Sequence, residues 1–181
     1  MLTRFLLVTA FVLGLGLPGF AADANNLQVF RDVSSQVLRY TQFTIFDSVH
    51  ANVDNGIVTL TGKVTMPYKK TDIERRVARV NGVTEVHNQI AVLPVSIHDD
   101  ELRQRIARSI YGNSAFWSYA AMANPPIHVI VERGHVTLEG VVNSNVERML
   151  ARSLATSFGA FSVTNNLKTD EEMRRELEKM N

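Results

Sequence analysis

Five histidines are the side chains of this sequence best suited to binding metal or exchanging protons near neutral pH. They are His50, His87, His98, His128 and His135. No two of them have the i,i+4 helical spacing of a zinc site, and the chain contains no cysteine that could join them. His50 and His128 occupy equivalent strand positions in the two halves of the chain, where a hydrogen-bonded structural role is the alternative to ligand binding or pH sensing. We therefore expect neither a bound metal nor another cofactor.

Motifs typical of covalent or nucleotide chemistry are missing from the sequence. It has no nucleophile elbow, phosphate-binding loop or dinucleotide fingerprint. Acidic residues are scattered over predicted helix faces, without a pair that the pattern buries together. We predict that the protein is not an enzyme. The formal charge of +1 also argues against a nucleic-acid-binding protein, because such proteins usually carry a strongly basic domain.

The strongest candidate for a binding surface is an aromatic segment that follows a basic helix. The basic residues of that predicted helix are Arg103, Arg105 and Arg108. The aromatic residues after it are Phe116, Trp117 and Tyr119, in a stretch that has no counterpart in the first half of the chain. Aromatic rings beside cations suit a lipid headgroup interface, where Trp and Tyr lie partly in water. The alternative is that these rings fill the space between domains or extend a core.

A second candidate surface is the predicted helix that begins at Pro67, because it is rich in basic residues. Its basic side chains are Lys69, Lys70, Arg75, Arg76 and Arg79. Each basic residue near a membrane surface contributes about 1 kcal/mol of attraction to anionic lipid. We select Lys69, Lys70 and Arg76 as candidates for lipid contact. The alternative is an ordinary solvated helix face that Asp72 partly neutralises.

These candidates belong to two copies of one sequence unit. Residues 56–62, GIVTLTG, reappear 78 positions later as residues 134–140, GHVTLEG. Apolar and polar residues alternate in both, which predicts a strand with one buried face. Glycines flank the strands where the backbone must turn or approach a neighbour closely. The glycines that mark the repeated unit are Gly56, Gly62, Gly82, Gly134, Gly140 and Gly159.

Each copy is predicted to fold in the order helix, strand, strand, helix, strand. The hairpin makes its two strands antiparallel, and the crossover helix makes the second and third strands parallel. The predicted fold class is α+β: two tandem two-layer sandwiches, each αββαβ, with a three-stranded mixed sheet and two helices on one face. We place the domains at 25–93 and 99–168, with a linker at 94–98 and a charged tail at 169–181.

Local signals set the predicted ends and buried sides of the helices. Asn25 or Asn26 is expected to cap the first helix. Tyr68 is assigned to the buried stripe of the second helix of copy one, because it lies at helical spacing from later apolar residues. Val146 is assigned to the buried stripe of the matching helix in copy two for the same reason.

The repeated pattern resembles the BON domain. In copy one the residues that carry the resemblance are Gly56, Val58, Leu60, Gly62, Gly82, Val83, Val86 and Asn88. In copy two they are Gly134, Val136, Leu138, Gly140, Gly159, Val163 and Asn165. Copy two departs from the pattern where Ala160 and Phe161 follow Gly159. Two such copies behind a leader resemble the family of the osmotically inducible periplasmic protein Y.

This resemblance implies a non-enzymatic periplasmic module proposed to bind phospholipid or the cell envelope. Relatives with such modules include stress proteins, secretins and outer-membrane maintenance proteins. We accordingly expect peripheral association with anionic phospholipid membranes, in support of envelope integrity or osmotic stress tolerance. The alternative is a protein–protein adaptor or holdase-like envelope stress protein, anchored by residues 116–122.

The N-terminal residues predict export from the cytoplasm. Arg4 precedes an apolar run at residues 5–17, which is shorter than the roughly 20 residues needed to cross a bilayer. Small residues then offer cleavage after Ala21, Ala22 or Ala24, so residues 1–22 are predicted to form a cleaved signal peptide. The alternative is an uncleaved anchor. Because no cysteine follows the run, we expect a periplasmic protein that is not a lipoprotein.

Overall fold

The computed structural model describes residues 18–179, and its first half follows the predicted order of elements. The helices and strands of this first domain are α1 (Pro18–Leu38), β1 (Ser48–Asp54), β2 (Ile57–Val64), α2 (Pro67–Val77), β3 (Glu85–Asn88) and β4 (Ala91–Val92). β1 pairs antiparallel with β2, whereas β3 and β4 both pair parallel with β2. The predicted third strand is therefore present in two short pieces.

The second half repeats this architecture as a second domain. Its elements are α3 (Ile97–Tyr111), a 3₁₀ turn (Ser114–Phe116), α4 (Trp117–Ala120), β5 (Ile127–Glu132), β6 (His135–Val142), α5 (Asn145–Thr156) and β7 (Ser162–Thr169). β5 is antiparallel and β7 parallel to β6. A last helix, α6 (Asp170–Lys179), occupies most of the predicted charged tail. The α+β class with two mixed sheets is confirmed.

The start of the first helix differs from the prediction. α1 begins at Pro18, so Asn25 and Asn26 lie inside the helix and do not cap it. Of the predicted signal peptide, residues 1–17 lie outside the described part of the chain. Within residues 18–179, no helix combines the length and the apolar character needed to cross a bilayer.

The two domains close their hairpin turns with the same hydrogen bond. Asn55 and Arg133 both turn the chain with a positive φ, 49° and 51°. The backbone N–H of Asn55 donates to Asn26 Oδ1 at 3.0 Å, and that of Arg133 donates to Asp99 Oδ2 at 2.8 Å. In each domain, therefore, a polar side chain of the first helix fixes the turn between the hairpin strands.

The matching asparagines of the last strands also repeat their contacts. The side-chain amide of Asn88 donates to the carbonyl of Lys70 at 3.0 Å, and that of Asn165 donates to the carbonyl of Arg148 at 2.8 Å. Each asparagine also accepts from the backbone amide two residues later, at 3.1 and 3.3 Å. The asparagine thus joins the second helix to the last strand in both domains.

Each domain has its own core between one sheet face and two helices. α1 packs on β1 and α2, and α3 packs on β5 and α5, which places both helices of each domain on the same side of its sheet. The fully buried residues of the second helices, Ile73 and Val77 in α2, correspond to Ala151 and Ala155 in α5. Two predicted core positions are wrong. Tyr68 is 50% exposed and Val146 is 75% exposed, because each lies on the side of its helix opposite the fully buried pair.

The loop between α1 and β1, residues 41–47, joins the first domain to the second, and we call it the connecting loop. Its Ile45 carbonyl accepts a hydrogen bond from the backbone N–H of Val129 in the edge strand β5, at 2.7 Å. Phe46 packs against the core of the second domain. The ring of Phe43 lies 5.5 Å from that of His128. The connecting loop therefore covers part of an otherwise open strand edge.

Polar residues of the two sheets extend this contact. Glu139 of β6 accepts hydrogen bonds from Ser48 and from His50 of β1, the latter at 2.9 Å. Lys63 of β2 forms an ion pair with Glu132 of β5 at 2.5 Å. These side chains lie on the sheet faces that point away from the helices. The two domains therefore contact each other through their sheets and leave the helices on the outside.

A buried ion pair fixes the connecting loop. Asp47 is fully buried and Lys69 is 4% exposed, with Nζ 2.6 Å from Oδ2 of Asp47. The same carboxylate accepts hydrogen bonds from the backbone and hydroxyl groups of both Thr44 and Thr65. Burial raises the pKa of Asp47, but the hydrogen bonds from Lys69, Thr65 and Thr44 outweigh burial and hold the pKa below its usual value.

This fold requires glycine either for a positive φ or because another part of the backbone approaches closely. Gly159 and Gly140 allow the two requirements to be compared. At Gly140, φ is +119° and an added Cβ would lie 1.8 Å from the Pro126 carbonyl oxygen, whereas at Gly159, φ is +76° and nothing lies within 4 Å. Gly159→Ala is expected to cost roughly 1–2 kcal/mol for the left-handed backbone alone. Gly140→Ala should lower the free energy of unfolding further, because the backbone must also move. Equal losses in urea unfolding would show that the approach to Pro126 is unimportant.

The pair of His50 and Glu139 should make the domain contact depend on pH. The hydrogen bond between them raises the pKa of His50 above 6.5 and lowers the pKa of Glu139 from 4.5 to about 2. The contribution of His50 to the free energy of unfolding is complete below pH 6.5 and is lost as the pH rises through its folded pKa. The contribution of Glu139 to the free energy of unfolding is complete above pH 4.5 and is lost as the pH falls through about 2. We therefore expect this pair to contribute most between pH 4.5 and 6.5. Burial lowers the pKa of His128, which packs on Phe43 in the same contact, so the contribution of His128 is complete only above pH 6.5.

Urea unfolding across and above this window tests the prediction. Glu139→Gln should remove the loss of stability that the wild type shows above pH 6.5. His135→Gln is the matched control, because His135 bonds to Ser162 within its own domain. If the Glu139→Gln protein keeps the wild-type pH dependence, this ion pair does not govern the contact.

Candidate functional site

The aromatic segment between α3 and β5 is largely part of the second core. Phe116 is fully buried and Tyr119 is 4% exposed. The Tyr119 hydroxyl donates to Glu147 at 2.7 Å and accepts from the backbone N–H of Asn143 at 2.9 Å. Burial, together with the Glu147 hydrogen bond, raises the pKa of Tyr119 to about 12. For Phe116 and Tyr119 the expectation of a surface role is therefore corrected: these two rings extend the core.

Trp117 is the aromatic residue of this segment that faces solvent. It is the sole tryptophan of the chain, and 65% of it is exposed. Its indole N–H donates to the carbonyl of Gly112 at 3.4 Å, which limits the orientations of the ring. Buried Phe116 and Tyr119 hold the turn in place. A large ring is thus presented to solvent from a fixed backbone.

The three arginines of α3 do not share one environment. Arg103 is 4% exposed and donates to the carbonyl of Val131 at 2.7 Å, so its role is structural. Arg105 and Arg108 are exposed, and each donates through Nε to a carbonyl of its own helix. Neither forms an ion pair with any carboxylate whose side chain the structure describes. Their charges therefore remain available to an anionic surface.

A shallow groove of about 490 Å³ follows this side of α3. Its lining residues are Ile97, Asp100, Glu101, Gln104, Arg105 and Arg108. Ile97, at one end, is 76% exposed. The groove therefore combines an apolar end with two arginines and two carboxylates.

The helix α5 adds two apolar residues that the sequence patterns did not identify as a surface. Val146 is 75% exposed and Met149 is 71% exposed. Because α3 and α5 pack side by side on one face of the sheet, their outer sides form one surface, with Trp117 beside α3. We call this surface the helical face, and its members are Arg105, Arg108, Trp117, Val146 and Met149. Met149 lies i,i+3 from Val146, and this apolar pair is the sequence signal that could have revealed the surface.

The basic helix α2 is only partly accessible. Lys69, selected above for lipid contact, is instead buried in the ion pair with Asp47. Lys70 and Arg76 are half-buried. The Arg76 guanidinium lies 4.7 Å from the centroid of the Tyr40 ring. The structure therefore keeps Lys70 and Arg76 as candidates, in a different domain from Trp117.

The comparisons with solved structures return distant likenesses. One is a structure described as CdsD, a structural protein of the type III secretion system of Chlamydia trachomatis, with 15% identity and a TM-score of 0.29, covering 83% of this chain and 97% of that one. A second is the C-terminal domain of CdsD from the same organism, with 13% identity, a TM-score of 0.27 and coverage of 76% and 94%. Scores this low do not indicate a shared function.

The family comparison gives a clear result. No curated protein matches the chain. The model of the BON domain matches twice, at residues 31–94 and 98–171. These ranges enclose both sheets and the helix that crosses over each of them. The chain therefore belongs to the BON-domain family, as a protein with two BON domains in tandem.

Proposed function

We propose that this protein is a non-enzymatic periplasmic envelope protein that associates peripherally with anionic phospholipid membranes through the helical face of its second domain. BON domains are often periplasmic and membrane-associated, which supports the location and the type of partner. The predicted signal peptide supports export. A role in envelope integrity or osmotic stress tolerance follows from this placement as part of the same proposal.

The observation that carries the proposal is the exposed ring of Trp117 beside unpaired arginines. A tryptophan that is 65% exposed on a fixed turn is suited to the boundary between headgroups and acyl chains. Val146 and Met149 offer further apolar surface in the same layer. Arg105 and Arg108 can donate pairs of hydrogen bonds to lipid phosphates. Apolar and cationic groups together are the pattern of a surface that lies on a membrane.

The expected strength of binding is modest. Two arginines contribute about 2 kcal/mol near an anionic surface, and each fully buried apolar side chain adds about 1.5–3 kcal/mol. The ordering of side chains opposes these gains. Binding should therefore be reversible and sensitive to salt, because the electrostatic part is screened within a Debye length.

The alternative function is a protein–protein adaptor or holdase-like envelope stress protein. With Phe116 and Tyr119 buried, the exposed large apolar residues left in the 116–122 segment are Trp117 and Met122, which is 48% exposed. They would have to anchor a protein partner. Pull-down from a periplasmic extract separates the two functions, because a stoichiometric protein partner that is indifferent to lipid supports the adaptor.

Vesicle co-sedimentation tests the membrane proposal. The wild-type protein should bind phosphatidylglycerol vesicles better than phosphatidylcholine vesicles, with a blue shift of Trp117 fluorescence. Trp117→Ala should weaken binding about tenfold, which corresponds to about 1.4 kcal/mol. Arg105→Gln with Arg108→Gln should remove most of the preference for anionic vesicles.

Two control variants sharpen this test. Phe161→Ala removes an aromatic residue that is 80% exposed and lies outside the helical layer, and Arg39→Gln removes an exposed charge of the first domain. Both should bind vesicles as the wild type does. Equal recovery with both lipids and no blue shift of Trp117 would contradict the proposal.

A further inference from the structure

A cleft between α1 and α2 of the first domain gathers three arginines. Its volume is about 450 Å³. It is lined by Gln36 of α1 and by Asp72, Arg75, Arg76 and Arg79 of α2. It shares no residue with the helical face, which belongs to the other domain. The concave shape brings the guanidinium groups towards one space.

A buried tyrosine orders two of these arginines. Tyr40 is 5% exposed, and its hydroxyl donates to Asp72 Oδ2 at 2.8 Å. The other oxygen of Asp72 lies 3.3 Å from Arg75 Nη2. Arg76 lies over the Tyr40 ring, 4.7 Å from its centroid. Burial and the Asp72 hydrogen bond raise the pKa of Tyr40 to about 12, so the hydroxyl remains a donor to Asp72.

The cleft keeps a surplus of positive charge. Asp72 is its one acidic lining residue, and both carboxylate oxygens already have partners in Tyr40 and Arg75. Arg76 and Arg79 form no ion pair with a carboxylate of the described chain. Guanidinium groups present a planar fork of donors that matches the oxygens of phosphate. Their partial ordering lowers the entropy lost when an anion binds.

The second domain shows that the fold does not need these arginines. Seventy-eight positions after Asp72, Arg75, Arg76 and Arg79, the chain has Leu150, Ser153, Leu154 and Ser157. The same offset relates the buried pairs of α2 and α5, so the positions correspond in the structure. The same scaffold therefore folds with uncharged residues at all four sites. The basic cleft is a feature of the first domain alone.

We propose that this cleft binds a phosphate group, carried by a phospholipid headgroup or free in solution. The inference does not rest on the membrane surface proposed above, because the residues and the domain are different. Loss of either site should leave the other unchanged.

Titration of the full chain with inorganic phosphate at constant ionic strength tests the site, with the side-chain Nε–H signals of the arginines as the readout. The wild type should show saturable shifts of the Arg76 and Arg79 signals. Arg76→Gln with Arg79→Gln should weaken binding at least tenfold. Arg133→Gln with Arg152→Gln is the matched control, since it removes the same charge from exposed positions of the second domain that belong to neither proposed site, and it should leave phosphate binding unchanged.

A second set of measurements distinguishes a lipid headgroup from free phosphate as the ligand. It also separates this proposal from the membrane proposal. Tighter binding of glycerol phosphate than of inorganic phosphate supports a headgroup, and the reverse order supports free phosphate. Trp117→Ala should bind phosphate as the wild type does, even if vesicle binding is lost. The exposed single variant Arg79→Gln gives the same test should the double variant fail to fold. Absence of saturation at constant ionic strength, or unchanged binding after loss of these arginines, would overturn the proposal.

Discussion

The buried carboxylate of Asp47 is the interaction on which the arrangement of the two domains depends. Its five donors come from the connecting loop, from the end of β2 and from the first turn of α2. They hold the Ile45 carbonyl where the edge strand of the second domain can donate to it. Removing one partner of such a buried pair typically costs about 3–5 kcal/mol, because a charge is left buried without compensation. The loop conformation, and with it the contact between the domains, rests on this carboxylate.

The two copies have diverged around this position, and each divergence has a structural consequence. The residue that corresponds to Asp47 in the second domain is Pro125, whose side chain has no acceptor for these hydrogen bonds. There the hydroxyl of Tyr111 donates to the carbonyl of Ile127 and accepts from its N–H. The first domain thus uses its loop to contact the second, while the second uses its longer segment to extend its core and present Trp117. Duplication of one fold has produced two different surfaces.

The sequence predicted the fold better than the surfaces, for physical reasons. Alternating apolar residues and flanking glycines define β2 and β6, because only one register buries the apolar set. The role of Lys69 could not be predicted, since its partner Asp47 is distant in the sequence and a basic helix is usually solvated. Phe116 and Tyr119 lie in a segment with no counterpart in the first copy, so no repeated pattern indicated their burial. Val146 fits the spacing of Leu150 and Leu154, yet the fully buried residues of α5 are Ala151 and Ala155, so Val146 lies on the outer side of the helix.

The central claim is that the two domains have one fixed relative orientation, since this orientation determines how the helical face and the basic cleft are presented together. Residual dipolar couplings of backbone amides in weakly aligned protein measure this relative orientation most directly. The structure predicts that one alignment tensor fits both domains in the wild type, and that Asp47→Asn requires two. Two independent tensors in the wild type would contradict the claim.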